Sequence, residues 1–202
     1  MTVQMPGIAG FDKSLLQKTE TKITAADGKV FLERKESNGS YIKSVQDQLS
    51  PGMVIDNKPD LQMAQLRHSL FVSSQDPAVD KGLLHKHGVT HILNVAGLPN
   101  FFPNDFQYMS LMLYDTPEFK ICDVFQDCFS FINTALDNGG KVLIHCNAGV
   151  SRSVTILLAY IMSTERVGLS KIYNELKQIR PQVRPNDGFM KQLKEFETSL
   201  NL

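Results

Sequence analysis

Lys141-Val-Leu-Ile-His-Cys-Asn-Ala-Gly-Val-Ser-Arg-Ser153 is the stretch on which the reading of this 202-residue chain turns. Lys141 to His145 has the length and apolar character of a buried strand, and Val154 to Met162 is apolar almost all round, as a helix beneath a sheet would be. Between them lies a tight loop whose small residues, Ala148, Gly149 and Ser151, let consecutive backbone N–H groups point inward, while the helix after Arg152 adds its positive end. Such a loop is an oxyanion cradle. A cysteine at its floor, Cys146, is exposed to amide dipoles, the helix terminus and the Arg152 guanidinium, all of which favour the thiolate nucleophile. Arg152, six positions on, can hold two phosphate oxygens with its planar fork. Ser153 can donate a hydrogen bond to sulfur when sulfur is the leaving group. The expected phosphate-binding residues are therefore Asn147, Ala148, Gly149, Val150, Ser151 and Arg152.

Working outward, apolar runs of strand length alternate with segments of helical period. Leu70 to Val72 and Thr90 to Ala96 read as strands with a helix, Pro77 to His87, between them. Tyr108 to Leu113 and Lys141 to His145 read as two more, separated by Ile121 to Asn138, where Val124, Phe125, Cys128, Ile132 and Ala135 recur on one helical face. Cys128 is read as core packing, and Cys122 as packing too, with a disulfide to oxidised Cys146 as its alternative. Ser170 is the expected cap of a helix that turns Ile172, Tyr173, Leu176 and Ile179 inward and stops at Pro181. Asn186 is the expected cap of the last helix, with Phe189, Leu193, Phe196 and Leu200 as its apolar stripe. This order predicts an α/β sheet covered by helices, with ligands at the carboxyl ends of the strands.

Transfer of a phosphoryl group to sulfur also needs a proton donor for the departing oxygen. Asp115 is the leading candidate, because it follows the strand Tyr108 to Leu113 and so sits on the same rim as the cysteine loop; a solvated turn aspartate before Thr116-Pro117 is the alternative. Asp105 and Asp123 are weaker candidates. Asn94 and His145 read from the sequence alone as buried structural polar residues.

Composition narrows the function classes. Lysine plus arginine and aspartate plus glutamate number 21 each, with 8 of each sign in residues 1–60. No global field favours nucleic acid or acidic lipid, so anion affinity has to be local. The loop lacks the lysines that extra phosphates of an inositol lipid would require. Three cysteines without a C-x-x-C pair argue against a disulfide framework and against a zinc site. With no leader or membrane span evident, a cytoplasmic location is expected, with a nuclear pool as the alternative. Residues 1–60 are polar, with turn signals at Asp27-Gly28, Asn38-Gly39 and Pro51-Gly52 and room for a short strand around Lys29 to Glu33. They read as a partly flexible extension, with partner docking as the functional alternative.

The loop His145-Cys-Asn-Ala-Gly-Val-Ser-Arg-Ser153 resembles the signature His-Cys-x5-Arg-Ser/Thr of the dual-specificity protein phosphatases, in the cysteine-based protein tyrosine phosphatase superfamily. Further similarity lies in His91-Ile-Leu-Asn94-Val-Ala, Ala159-Tyr-Ile-Met162, Arg180-Pro181 and Pro185-Asn186-Asp-Gly-Phe-Met-Lys-Gln-Leu193, and the whole covers about residues 61–200. The resemblance is to the small, atypical members. It implies a catalytic domain over 61–202 with a five-stranded, mostly parallel sheet flanked by helices, and no need for a metal or cofactor. It also implies hydrolysis of phosphotyrosine, phosphoserine and phosphothreonine through a phosphocysteine, with phosphoproteins as partners, among them mitogen-activated protein kinases of stress signalling or the kinases upstream of them. Cys146 and Arg152 carry over directly, Asp115 matches the general acid 31 positions before Cys146, and Asn94 and His145 are implied to brace the loop. Ser73 departs from the pattern, standing where the family usually has glycine.

Overall fold

The computed structural model describes residues 20–24, 30–35, 41–46 and 59–202. The chain divides into two compact units, Met1–Ser50 and Pro51–Leu202. In the first, strands β1 (Glu20–Thr24), β2 (Val30–Lys35) and β3 (Tyr41–Gln46) form an antiparallel sheet in that order. Its register sets Ile23 opposite Phe31 and Phe31 opposite Val45. The strand expected around Lys29 to Glu33 is its middle member. The turns expected at Asp27-Gly28, Asn38-Gly39 and Pro51-Gly52, and the flexibility expected of them, lie outside the described residues.

The second unit is built on a five-stranded sheet of β4 (Ala64–Arg67), β5 (Leu70–Ser73), β6 (His91–Asn94), β7 (Gln107–Ser110) and β8 (Val142–His145), in the order β4-β5-β8-β6-β7. Only the β4–β5 pairing is antiparallel, because the short connection His68-Ser69 turns the chain straight back; the others are parallel and need crossovers. All residues of β5, β6 and β8 are buried, whereas the edge strand β7 is half-exposed to exposed. Burial on both faces explains why these strands read as unbroken apolar runs. The two-residue period then sorts their side chains. Leu70, Val72, Leu93, Val142 and Ile144 join the larger core, and Phe71, Ile92 and Leu143 the smaller one on the opposite face.

The smaller core is closed by α1 (Gln75–Ala78) and α2 (Lys81–His87). The single helix expected over Pro77 to His87 is broken at Asp80, whose carboxylate accepts from Leu83 N at 2.9 Å and caps α2, as Ser74 caps α1. The larger core is covered by α3 (Phe125–Asp137), α4 (Arg152–Glu165), α5 (Leu169–Ile179) and α6 (Asp187–Ser199). Eleven consecutive residues of α4, Arg152 to Met162, are buried, so its nearly uniform apolar surface reflects a helix packed on all sides. Asn186 caps α6, accepting from Phe189 N at 2.9 Å.

Two helix expectations are corrected. The N-cap of α5 is Gly168, not Ser170, because buried Leu169 already occupies the first turn and its N–H is satisfied by Glu197 Oε1 at 2.7 Å. Ile179, at the end of α5, is 37 % exposed rather than inward. Replacing fully buried Ile144, at the centre of the sheet, by Ala should cost about 2–5 kcal/mol in denaturant unfolding. A loss below about 1 kcal/mol would contradict this placement.

Candidate active site

β8 ends at His145 and α4 begins at Arg152, so residues 146–151 form the loop at the carboxyl end of the central strand. Four successive carbonyls of this loop, Asn147 to Val150, are engaged on the outside. Gln75 N donates to Asn147 O at 2.9 Å, Arg180 Nη2 to Ala148 O at 3.0 Å, Arg180 Nε to Gly149 O at 2.9 Å, and Arg184 N to Val150 O at 2.8 Å. No peptide bond among the described residues is cis. In a trans peptide the C=O and the following N–H point in opposite directions. The N–H groups of Ala148, Gly149, Val150 and Ser151 are therefore turned the other way, and that of Gly149 reaches Cys146 Sγ at 3.2 Å. Ser153 Oγ donates to the same sulfur at 3.2 Å.

Gly149 is required by two independent constraints. Its φ of 64° is left-handed, and a Cβ there would come within 2.4 Å of the Ser73 carbonyl carbon. The β5 turn is pressed against the loop at this point. Ser73, the departure from the family pattern, is accommodated because its buried hydroxyl donates to Ser74 O at 2.7 Å.

Cys146 lies at the floor of the loop and is 1 % exposed. Arg152, 3 % exposed, donates from Nη1 to Leu113 O at 3.1 Å. Its buried Nε–H makes no hydrogen bond among the described residues, and Asp115 Oδ2 stands 3.8 Å away. A buried guanidinium N–H without an acceptor is uncommon, and it marks this edge of the fork as suited to an oxyanion. Asp115 is brought to the same place. Its Oδ1 accepts from Ser151 Oγ at 2.7 Å and Asn186 Nδ2 at 2.8 Å. The turn carrying it rests on α6, where a Cβ on Gly188 would meet Pro117 O at 2.0 Å. Asp105 instead pairs with Lys81 at 2.7 Å. Asp123 lies on the 3₁₀ turn Ile121–Val124 and accepts from Cys122 Sγ at 3.7 Å.

His145 is fully enclosed, with Nδ1 3.3 Å from Cys146 O. A carbonyl only accepts, so Nδ1 carries the proton. Burial, reinforced by the charge of Arg152, pulls the His145 pKa down to about 4 against the opposing effect of that hydrogen bond. His145 thus holds the cysteine backbone as a neutral ring. Asn94 does not act on the cysteine loop through its side chain. Its amide donates to Leu98 O at 2.7 Å and Asn100 Oδ1 at 3.0 Å, and Oδ1 accepts from Ala96 N at 3.1 Å, so it organises the segment 94–100 instead.

The other thiols differ from Cys146. Cys128 is buried in the larger core, and burial with Asp127 nearby pushes it up to about 12. Cys122 is exposed on the 3₁₀ turn, correcting the packing role expected of it, because Ile121 takes the inward position. Desolvation and Asp123 raise its pKa too. Among the described residues no three His, Cys, Asp or Glu side chains are grouped to hold a metal ion, and no helix is long and apolar enough to cross a membrane.

Sequence reasoning missed two members of this site, Arg180, legible only as half of the Arg180-Pro181 match, and Asn186, legible only as a helix cap; it placed Ser151 in the phosphate-binding loop but not as the donor to Asp115. The low pKa of His145 has a measurable consequence. Unfolded histidine, near 6.5, takes up a proton as the pH falls, while folded His145 stays neutral to about 4. Stability contributed by neutral His145 is therefore complete above about pH 6.5 and lost as the pH falls towards 4, by about 3 kcal/mol. The stability difference between wild type and His145→Gln should shrink by about that amount across this window; a constant difference would refute it.

Residues 70–199 match the family model described as the dual specificity phosphatase catalytic domain. Dual specificity protein phosphatase 19 of Mus musculus is 38 % identical over 193 residues, 94 % of this chain and 88 % of its own length. Dual specificity protein phosphatase 1B of Arabidopsis thaliana is 39 % identical over 139 residues, 68 % of this chain and 83 % of its own. Among solved structures, the human tyrosine phosphatase-like serine/threonine/tyrosine-interacting protein superposes with a TM-score of 0.66 at 32 % identity, covering 69 % of this chain and 98 % of that one. The loop geometry, the matched catalytic domain and these relatives agree: the chain belongs to the dual specificity protein phosphatases.

Proposed function

We propose that this protein hydrolyses phosphate esters of tyrosine, serine and threonine side chains through a phosphocysteine on Cys146. The observation that carries the reading is the loop itself: four successive carbonyls held outward, with Cys146 Sγ receiving the Gly149 N–H and the Ser153 hydroxyl. A phosphoryl group in flight spreads negative charge over its equatorial oxygens, and inward amides with a planar guanidinium are preorganised to receive it.

In the first step an electron pair of Sγ forms the S–P bond, the P–O bond to the side chain breaks, and Asp115 gives its proton to the departing oxygen. Ser151 and Asn186 both donate to Oδ1 of Asp115, which leaves Oδ2 to carry that proton. In the second step water attacks phosphorus, Asp115 takes the water proton, and the S–P bond breaks with its pair returning to sulfur. Ser153 Oγ–H then stabilises the leaving thiolate. His145 holds the Cys146 carbonyl throughout.

The substrates we propose are phosphoproteins of mitogen-activated protein kinase pathways, in the cytoplasm and the nucleus. Support for kinase-pathway substrates comes from the family resemblance and from the likeness to dual specificity protein phosphatases 1 and 2. A second reading, binding of phosphoproteins with little turnover, is favoured by the similarity to a solved protein named phosphatase-like and interacting. Phosphopeptide turnover separates the two. Cys146→Ser should abolish it, and Asp115→Ala should lower kcat by roughly 10² to 10⁴ while phosphopeptide binding persists. Turnover by Cys146→Ser equal to wild type would end the phosphocysteine reading.

A further inference from the structure

Arg180 is 0 % exposed, yet it is not part of the loop and touches no reacting atom. Its guanidinium is spent on two groups of partners. On one side Nε and Nη2 hold the carbonyls of Gly149 and Ala148. On the other, Nη1 donates to Gln62 O at 3.4 Å and Gln62 Oε1 at 3.2 Å, and Nη2 is ion-paired to Asp60 Oδ2. Asp60 is the single carboxylate paired with Arg180 among the described residues. Asp60 is itself fixed on three sides. Its N–H donates to Asp76 Oδ2 at 2.7 Å, its carbonyl accepts from Ser74 Oγ at 2.9 Å, and its Oδ1 accepts from Gln62 N at 3.2 Å. It precedes residues 70–199, the segment that matches the family model, and belongs to none of the signature motifs.

We propose that Asp60 is a positioning residue for the phosphate-binding loop, acting through Arg180; the inference rests on the phosphatase reading of that loop. The peptide unit Ala148–Gly149 carries one carbonyl bound by Arg180 and one N–H aimed at Cys146 Sγ. The unit Gly149–Val150 has its carbonyl on Arg180 as well. Because each unit is rigid and planar, pulling the carbonyl outward fixes the N–H inward. A cation on the carbonyl also polarises the amide and strengthens the donor at its far end. A buried guanidinium, however, keeps this geometry only while its charge is matched; without a counter-ion it turns towards water and releases the two carbonyls. Asp60 supplies the match from a segment that lies before the signature region. The strap from Asp60 to Gln62 thereby sets the orientation of the loop amides, and with it oxyanion affinity, without contacting the anion.

The test uses the full chain with readouts that do not depend on turnover. Asp60→Asn keeps the shape and removes the charge, Asp60→Glu restores the charge, and the double variant Asp60→Asn with Arg180→Gln leaves no unpaired ion, so misfolding of the single variant does not stop the experiment. Orthovanadate affinity is read from ligand-dependent thermal stabilisation. Reactivity of Cys146 is read from the rate of its alkylation by iodoacetamide at one fixed pH, followed by mass spectrometry. Asp60→Asn and the double variant should bind orthovanadate roughly 10- to 100-fold more weakly and be alkylated more slowly at Cys146, and Asp60→Glu should recover part of both. Unchanged vanadate affinity and alkylation rate in a folded Asp60→Asn or double variant would overturn the proposal, even if the melting temperature fell. Failure of the phosphatase reading would look different: wild type itself would neither bind orthovanadate nor hydrolyse a phosphopeptide.

Discussion

The structure depends on one constraint, the planarity of the peptide bonds between Asn147 and Ser151. A carbonyl drawn to one side commits its amide to the other, so the cradle is made from outside by whatever binds the carbonyls. Gln75 at the start of α1, Arg180 at the end of α5 and Arg184 just before α6 each supply a donor. The anion site is thus assembled from two parts of the chain far apart in sequence, the start of α1 and the connection from α5 to α6, neither of which faces the anion. This explains how a protein with no net charge can hold a concentrated binding site for a dianion.

The sheet gives this arrangement its stiffness. β8, which delivers His145 and Cys146, lies between β5 and β6 and is buried throughout. Its side chains alternate between the two cores, so neither face can shift without repacking the other. Gly149 then seats against Ser73 with no space for a side chain, and Gly188 seats against Pro117 in the same way. The first contact locks the cradle to the sheet; the second locks the turn of Asp115 to α6. Nucleophile, clamp and acid are therefore carried by separate elements that glycines allow to close together.

Much of this was legible in the sequence, and for identifiable reasons. The strand-loop-helix around Cys146 combines a buried strand, small residues and a buried helix within a short span, and local patterns of that kind survive translation into structure. The cap at Asn186 and the stripe from Phe189 to Leu200 are equally local. What was not legible is long-range or singular. Asp60 and Arg180 lie 120 positions apart, and a charge in a polar segment carries no periodic signal. Asn94 was assigned to the wrong loop because burial of an amide does not reveal its partner. Ser170 lost the cap of α5 to a tertiary contact from Glu197. Cys122 faces solvent because its neighbour Ile121 fills the inward position, a choice that composition alone cannot make.

The central claim is that this loop is an oxyanion cradle with a nucleophile at its floor. A crystal structure of the protein grown with orthovanadate examines it most directly. The account predicts vanadium bonded to Cys146 Sγ, its oxygens met by the amides of Ala148 to Ser151 and by Arg152 Nε, with the four loop carbonyls still turned outward. Vanadate absent from the loop at saturating concentration, or bound with Arg152 Nε directed elsewhere, would contradict it.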